Sequence, residues 1–277
     1  MRKRYGRSLR ILFTSSLLSV ALLSACSQSP TGRSQILLFS NEQVNQMGTQ
    51  AYTDIKQQEP VSSDAALNRY VRCIADALIQ ELPAEQRQLD WEVTVFDSDT
   101  VNAFALPGGK IGVYRGLHEV AKTPAQLAAV MGHEIGHVIA EHGNARMSSN
   151  MLIGAGMQIG AVLAAQQTDA QTAAMIMAGL GVGVQVGFTL PYSRSHETES
   201  DLLGLEYMAA AGFDPAHAAD LWRNMAQQGG GATPEFLSTH PTPTTRIDAL
   251  EAAQPQVQPL YQARVQQGNL PNCQRPS

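Results

Sequence analysis

One helix constrains this chain more than any other segment. Thr123-Pro124-Ala125-Gln126 is typical of a helix start, because threonine caps, proline fits the first turn and glutamine stands at the capping-box position. The helix is expected to run to about His142, where Gly143 ends it. Polar residues interrupt its apolar sequence at His133-Glu134-Ile135-Gly136-His137. Because apolar residues surround these polar ones in the helix, the two histidines are not expected to lie on a solvated surface.

The two histidines of this motif have the spacing of metal ligands. His133 and His137 are four positions apart, so they share one face of the helix and both imidazoles can bind one ion. Glu134 can reach a water on that ion without being a ligand itself. The motif therefore predicts a catalytic site for one zinc ion per chain, with Glu134 as the general base.

A catalytic zinc site needs a third protein ligand, and the segment Ser195–Asp201 offers two candidates. Glu197 and Asp201 are four positions apart, so Glu197 can bind the ion while Asp201 accepts a hydrogen bond from a ligand imidazole. Glu199 is the rival ligand, and spacing alone favours neither strongly. Glu197 is preferred because Asp201 pairs with it at i, i+4.

The other polar residues near these motifs are assigned no part in the metal site. His142 lies five positions past His137, off the ligand face, and is expected to be a C-terminal helix residue stabilised by the helix dipole. The remaining histidines match no ligand spacing and are expected at the surface or at caps: His118, His196 and His217. Candidates for an oxyanion stabiliser are Tyr192, Arg194, His196 and Arg246.

The N-terminal 25 residues have the pattern of an export signal. Five of the 19 basic residues lie in the first ten positions, and a short apolar run follows. The run ends at Leu23-Ser24-Ala25-Cys26, which resembles the bacterial lipobox, although an ordinary signal peptide with an incidental cysteine is the alternative. We therefore expect residues 1–25 to be a lipoprotein signal peptide and Cys26 to carry acyl chains such as palmitate. Ser27 then favours an outer-membrane anchor facing the periplasm.

Composition excludes several classes of protein. With 44% hydrophobic and 16% charged residues, the chain is not a disordered acidic or basic protein. Its net charge of -5 argues against nucleic acid as a partner. Once Cys26 is lipidated, Cys73 and Cys273 remain, and in an oxidising periplasm they are expected to form a disulfide, with two free thiols as the alternative.

Four motifs together resemble the HtpX-like and CAAX-prenyl-protease-like zinc metallopeptidases, a gluzincin family, and in particular their periplasmic lipoprotein branch. The motifs are Asn102–Tyr114, His133–Gly143, Glu197-x-Glu199-x-Asp201, and His240-Pro241-x-Pro243-x-x-Arg246-Ile247. The resemblance runs from about Asn41 to Ala253. It implies zinc ligands at His133, His137 and Glu197 and the catalytic base at Glu134. It also implies that Asp201 contacts a ligand and not the ion itself.

The resemblance also implies a fold and a domain plan. The expected fold is α+β and predominantly helical, with a small antiparallel sheet or hairpin beside the zinc helix. Residues 26–40 form a lipid-anchored tether, residues 41–253 the peptidase domain and residues 254–277 a C-terminal tail. The Gly-, Ala- and Met-rich segment 147–193 is expected to be a buried or lid-like helical hairpin, with a membrane-dipping, partner-binding or membrane-spanning hairpin as alternatives.

The implied activity is an endopeptidase of the bacterial envelope that acts in protein quality control. Its substrates would be extended, misfolded or incompletely assembled envelope proteins, with outer-membrane proteins or their assembly machinery as partners. Asn102, Ala103, Phe104 and Ala105 would form the edge strand along which substrate lies, with a structural hairpin as the alternative. His240 would be a fourth ligand that blocks the open position, or would only order its loop. The competing function is a chaperone-like module that binds unfolded outer-membrane proteins with a mainly latent metal site.

Overall fold

The structure is a computed structural model and describes residues 26–167, 171–172, 175, 190–227, 236, 240 and 244–276. The expected signal peptide lies outside the described residues, as do nearly all of 168–189 and positions 241–243 of the fourth motif. The chain divides into two compact units, one of Met1–Ser40 with Asn144–Leu180 and one of Asn41–Gly143 with Gly181–Ser277. No helix among the described residues has the length and apolar character needed to cross a bilayer.

The helices and strands follow one another as β1 (Cys26–Gln28), β2 (Ser34–Ile36), α1 (Asn41–Gln58), α2 (Ala65–Gln80), α3 (Ala84–Arg87), β3 (Glu92–Phe96), β4 (Ala103–Leu106), β5 (Lys110–Tyr114), α4 (Arg115–Val120), α5 (Pro124–Ile139), α6 (His142–Gln167), α7 (Leu190–Ala210), α8 (His217–Gln227) and α9 (Thr244–Gln266). The predominantly helical α+β class predicted from the sequence is confirmed.

Residues 26–40 differ from the tether that the sequence suggested. Strands β1 and β2 pair antiparallel, with Ser27 opposite Gln35. The backbone N–H of Leu38 then donates to Ser148 Oγ at 2.8 Å, and Asn144 Nδ2 donates to the carbonyl of Phe39 at 2.8 Å. The backbone polar groups of this segment therefore have hydrogen-bond partners within the same unit.

Side-chain caps mark the starts of two helices of the second unit, and the cap at Thr123 is the one predicted from the sequence. At the start of α2, Asp64 Oδ1 accepts from the N–H groups of Ala66 and Leu67. At the start of α5, Thr123 Oγ1 accepts from the N–H of Gln126, and Pro124 is the first helical residue. Short-range chemistry therefore sets where these helices begin.

The sheet of the second unit contains the predicted hairpin and one strand more. Strands β4 and β5 pair antiparallel around a turn in which Gly108 and Gly109 have φ of +85° and +76°. Strand β3 pairs parallel with β5, so the strand order is β3-β5-β4 and the sheet is mixed. Within the described part of the chain, β4 pairs with β5 alone and packs on α5.

Helices α5 and α7 pack closely enough to bring their polar side chains together. All residues of α5 from Ala125 to Gly136 are buried. A Cβ on Gly204 of α7 would lie 2.6 Å from the backbone nitrogen of His133, and a Cβ on Gly136 would lie 2.9 Å from the carbonyl oxygen of Ser200. Larger residues at these glycines would force the two helices apart.

The zinc-motif helix ends earlier than predicted. Helix α5 stops at Ile139, and Glu141 then takes a φ of +55°, the only non-glycine residue described with a positive φ. Helix α6 begins at His142. The prediction of a helix that continues to His142 and ends at Gly143 was therefore wrong, because the left-handed turn comes two residues before the glycine.

The C-terminal segment is helical where the sequence suggested a tail from residue 254. Helix α9 continues to Gln266 although it contains Pro255 and Pro259. Its Arg264 donates from Nε to the carbonyl of Ala210 at 2.7 Å and pairs with Glu81. Contacts with other helices hold this part of the chain in helical form.

Beyond α9, the chain end is attached to the second unit. The structure places a disulfide between Cys73 of α2 and Cys273, with a Cα–Cα distance of 5.6 Å. Arg275 Nη2 donates to the carbonyl of His118 at 2.9 Å. Cys26, at the other end of the described chain, is exposed.

Candidate metal centre

Four side chains from three parts of the second unit converge on one point. Helix α5 supplies His133 and His137, α7 supplies Glu197, and His240 lies between α8 and α9. One nitrogen or oxygen atom from each lies within 4.8 Å of the others, and three of the four residues are those that the sequence predicted as ligands. This cluster can hold a metal ion.

The distances inside the cluster match a tetrahedral zinc site. His133 Nε2 lies 3.1 Å from His137 Nε2, and Glu197 Oε2 and Oε1 lie 3.4 Å from these two nitrogens respectively. Zinc bonds of about 2.0–2.1 Å place tetrahedral ligand atoms about 3.3 Å apart. The three side chains therefore need little movement to share one zinc ion.

His240 occupies a fourth corner of the same cluster. Its Nδ1 lies 3.3 Å from His133 Nε2 and 3.0 Å from Glu197 Oε2. Its ring stacks on Phe236 with centroids 4.7 Å apart. His240 thus stands where a fourth ligand of a tetrahedral ion would stand.

Glu134 lies beside the cluster and is not one of its ligating atoms. Its side chain is buried, and no hydrogen-bond donor among the described residues reaches its Oε1. Leaving a buried carboxylate oxygen without a donor costs free energy. His240 Nε2 lies 3.5 Å from Glu134 Oε1. The carboxylate is therefore placed to accept a proton from a group that enters the site.

A buried ion pair stands behind His133. Asp201 Oδ1 lies 2.9 Å from His133 Nδ1, and Arg246 donates from Nε to Asp201 Oδ2 at 2.7 Å and from Nη2 to Oδ1 at 2.8 Å. Arg246 Nη1 also lies 3.0 Å from Glu197 Oε2. Its guanidinium lies over the ring of Trp222, at 4.3 Å from the centroid. Arg246, one of the candidate oxyanion stabilisers, is instead engaged with the two carboxylates.

These contacts shift the pKa values of the cluster residues. Burial alone would raise the pKa of Glu197, but hydrogen bonds with His133, His137 and His240 hold it well below its usual range. Burial lowers the pKa of His137 to about 4. For His133, burial lowers the pKa, but hydrogen bonds with Asp201 and Glu197 outweigh burial and raise it to about 9. Glu197 therefore stays anionic and His137 keeps a free lone pair at neutral pH.

His142 lies against the cluster, not on a free helix end as predicted. Its Nδ1 is 2.8 Å from His137 Nδ1 and its Nε2 is 3.0 Å from Glu199 Oε2. His196 stacks on the His142 ring, with centroids 4.0 Å apart and planes at 15°. Both His196 and Glu199 are buried, so the surface position expected for His196 was wrong. His142 is not one of the clustered ligand candidates, as the i+5 spacing predicted, but it contacts the far side of His137.

The remaining predicted residues are not members of the cluster. The carbonyl of Asn102 accepts from the N–H of Tyr114 at 3.0 Å, next to β4, which contains Ala103, Phe104 and Ala105. The Phe104 ring lies 6.0 Å from that of Phe96. Arg194 is exposed, and the side chain of Tyr192 lies outside the described residues. His118 is half-buried against Tyr70.

Comparison with known proteins places this geometry in a family. Residues 65–254 match peptidase family M48. "Mitochondrial metalloendopeptidase OMA1" of Arabidopsis thaliana is 37% identical over 166 residues, which are 60% of this chain and 32% of that protein. "Metalloendopeptidase OMA1, mitochondrial" of Danio rerio is 31% identical over 263 residues, 91% of this chain and 54% of that protein.

A bacterial protein is also similar to this chain. "Beta-barrel assembly-enhancing protease" of Escherichia coli (strain K12) is 26% identical over 223 residues, 78% of this chain and 44% of that protein. The chain spans about a third to about half of the length of these relatives. The family match covers both helices that carry the cluster, and the chain therefore belongs to peptidase family M48.

Proposed function

We propose that the chain is a zinc-dependent endopeptidase of the bacterial envelope. The observation that carries the proposal is the buried cluster of His133, His137 and Glu197 at zinc-like spacing, with the carboxylate of Glu134 beside it. A closed structural zinc site would have no use for that carboxylate. The relatives named as metalloendopeptidases and as a protease support the same activity.

The chain's own residues divide the work of peptide hydrolysis. A zinc ion held by His133, His137 and Glu197 would polarise the scissile carbonyl and lower the pKa of a water to about 7. Glu134 takes the proton of the attacking water and passes it to the leaving amine. Asp201 accepts from His133 Nδ1–H, which leaves His133 Nε2 aimed into the cluster.

The open side of β4 supports a polypeptide substrate bound in extended form. Strand β4 is at the edge of the sheet and packs on α5, the helix that carries the histidine pair. Among the described residues no strand pairs with its other side, so a substrate strand can add there and run alongside Asn102–Ala105. Such binding depends on main-chain hydrogen bonds and therefore requires an unfolded segment of the substrate. This favours misfolded or incompletely assembled envelope proteins as substrates.

The test compares casein cleavage by the zinc-loaded wild-type chain and by Glu134→Gln. Cleavage that depends on Glu134 supports the enzyme. A chaperone-like module would bind unfolded outer-membrane proteins equally well in both forms without cleaving them. We favour the enzyme because pure binding would leave the buried Glu134 carboxylate without a role.

We further propose that Cys26 anchors the chain in the outer membrane, facing the periplasm. The lipobox-like sequence before Cys26 and the exposure of this cysteine support the anchor. The bacterial relative named for β-barrel assembly supports outer-membrane proteins or their assembly machinery as partners.

Replacing the cysteine tests the anchor. In cells that express the full chain, we expect Cys26→Ser to move the protein from the membrane fraction to the soluble fraction, because the acyl chains are lost. Labelling with radioactive palmitate should mark the wild type but not Cys26→Ser. Cys73→Ser is the control and should still be labelled. A Cys26→Ser protein that stays in the membrane fraction would contradict the anchor.

His240 is proposed to restrain the enzyme by taking the fourth corner of the cluster. We expect His240→Ala to raise casein cleavage by up to about tenfold, the gain if about nine-tenths of wild-type molecules hold the closed arrangement. Its zinc affinity should fall modestly, because one ligand is lost. His217→Ala, at a half-exposed histidine of α8, is the control. Unchanged or lower cleavage by His240→Ala would reject the restraint.

A further inference from the structure

The far side of His137 carries a buried arrangement that the proposed mechanism does not use. His137 directs Nε2 into the cluster, and its Nδ1 points away from it to His142 Nδ1 at 2.8 Å. His142 Nε2 in turn lies 3.0 Å from Glu199 Oε2. Ser200 Oγ also lies 3.4 Å from His142 Nδ1. A carboxylate and an imidazole thus stand in line behind a metal-ligand candidate.

Only one arrangement of protons satisfies both hydrogen bonds while leaving His137 Nε2 free for a metal. His142 Nε2–H donates to the carboxylate of Glu199, so His142 Nδ1 has a lone pair. His137 Nδ1–H donates to that lone pair, so its Nε2 has no proton. The reverse arrangement, with His142 Nδ1–H as the donor, would place the proton of neutral His137 on Nε2, the atom that must bind the ion.

The backbone and a neighbouring ring hold His142 in this place. The left-handed conformation of Glu141 interrupts the α5 helix, and His142 follows directly at the start of α6. Strained backbone of this kind persists where the surrounding structure over-determines it. His196 covers one face of the His142 ring at 4.0 Å, which restricts rotation of the imidazole.

We propose that His142 and Glu199 are positioning residues that fix the tautomer and orientation of His137 and strengthen its bond to zinc. The proposal deepens the proposed function and rests on it. Metal-bound histidines commonly donate their other N–H to a carboxylate or carbonyl. Here an imidazole is inserted between the ligand and the carboxylate, while Asp201 contacts His133 directly. The two ligand histidines are therefore oriented by two separate acids of α7.

The test measures the zinc dissociation constant of the full chain by competition with a chelator. We expect His142→Leu to weaken zinc binding by about 10- to 100-fold, because His137 loses its acceptor. His142→Asn should keep most of the affinity, since its amide oxygen can accept from His137 Nδ1–H. Glu199→Gln should lie between them, because its amide oxygen still accepts from His142 without the negative charge. His217→Leu is the control and should bind zinc as the wild type does.

A cobalt-substituted sample separates positioning from simple packing. If His142 orients His137, the visible absorption bands of Co²⁺ should shift in His142→Leu and return toward the wild-type bands in His142→Asn. Should His142→Leu fail to fold, His142→Asn and Glu199→Gln carry the test alone. Wild-type affinity and spectra in both Glu199→Gln and any folded His142→Leu would overturn the proposal. A wild-type chain that binds zinc but cleaves no casein would overturn the proposed function. The zinc affinities and cobalt spectra would still decide whether His142 and Glu199 position His137.

Discussion

Replacing Glu134 with glutamine is expected to lower kcat for casein by about 10²- to 10⁴-fold, the usual contribution of a general acid–base group. The amide of glutamine has nearly the shape of the carboxyl group but cannot take a proton from the attacking water. Zinc affinity should be unchanged, because Glu134 is not one of the four clustered residues. The measurement is steady-state cleavage together with metal content after dialysis.

An exposed acid on a neighbouring helix provides the matched control. Glu119→Gln, in α4, makes the same chemical change at an exposed position and should cleave casein at the wild-type rate. If Glu134→Gln keeps both its zinc and its rate, the base lies elsewhere and the proposed mechanism is wrong. If Glu134→Gln loses its zinc, Glu134 is a ligand and not the base.

The parts of the site that depend on nearby residues could be predicted from the sequence. The Thr123 cap and Pro124 indicated where α5 begins, and the i, i+4 spacing placed His133 and His137 on one face. These features depend on hydrogen bonds and helix geometry within a few residues. The structure adds that His133 is buried and that His137 keeps a small exposed fraction.

The choice between Glu197 and Glu199 needed the packing of two helices. Both residues belong to α7 and both are buried, so neither periodicity nor burial separates them. The close approach of Gly204 to His133 sets how α7 lies on α5. In that packing Glu197 reaches the cluster, while Glu199 reaches His142.

The errors arose where the backbone departs from a regular pattern. The break at Glu141 carries no glycine signal, so His142 was assigned to the end of α5 although it begins α6. Helix α9 continues past Pro255 although proline usually ends a helix. The parallel pairing of β3 with β5 joins segments separated by β4, and no local motif specifies it. Contacts distant in sequence accompany the last two features.

Replacing Arg246 with methionine is expected to lower the free energy of unfolding by about 3–5 kcal/mol, the usual cost of removing one partner from a buried ion pair. Arg246 is 4% exposed and is held by two carboxylates, those of Asp201 and Glu197. Methionine keeps much of the side-chain volume over Trp222 but removes the guanidinium from both carboxylates. Urea denaturation, followed by fluorescence in the presence of a chelator, measures the change.

Two further arginine variants show whether the buried charge or its geometry is responsible. Arg223→Met removes a half-exposed arginine that pairs with Asp220 and Glu251, and it should leave the urea midpoint nearly unchanged. Arg246→Lys keeps the charge but cannot donate to Asp201 through two parallel N–H groups, so its stability should lie between the wild type and Arg246→Met. If Arg246→Met is as stable as Arg223→Met, the ion pair contributes nothing to folding. Asp201 would then be held in place by its contact with His133 and not by Arg246.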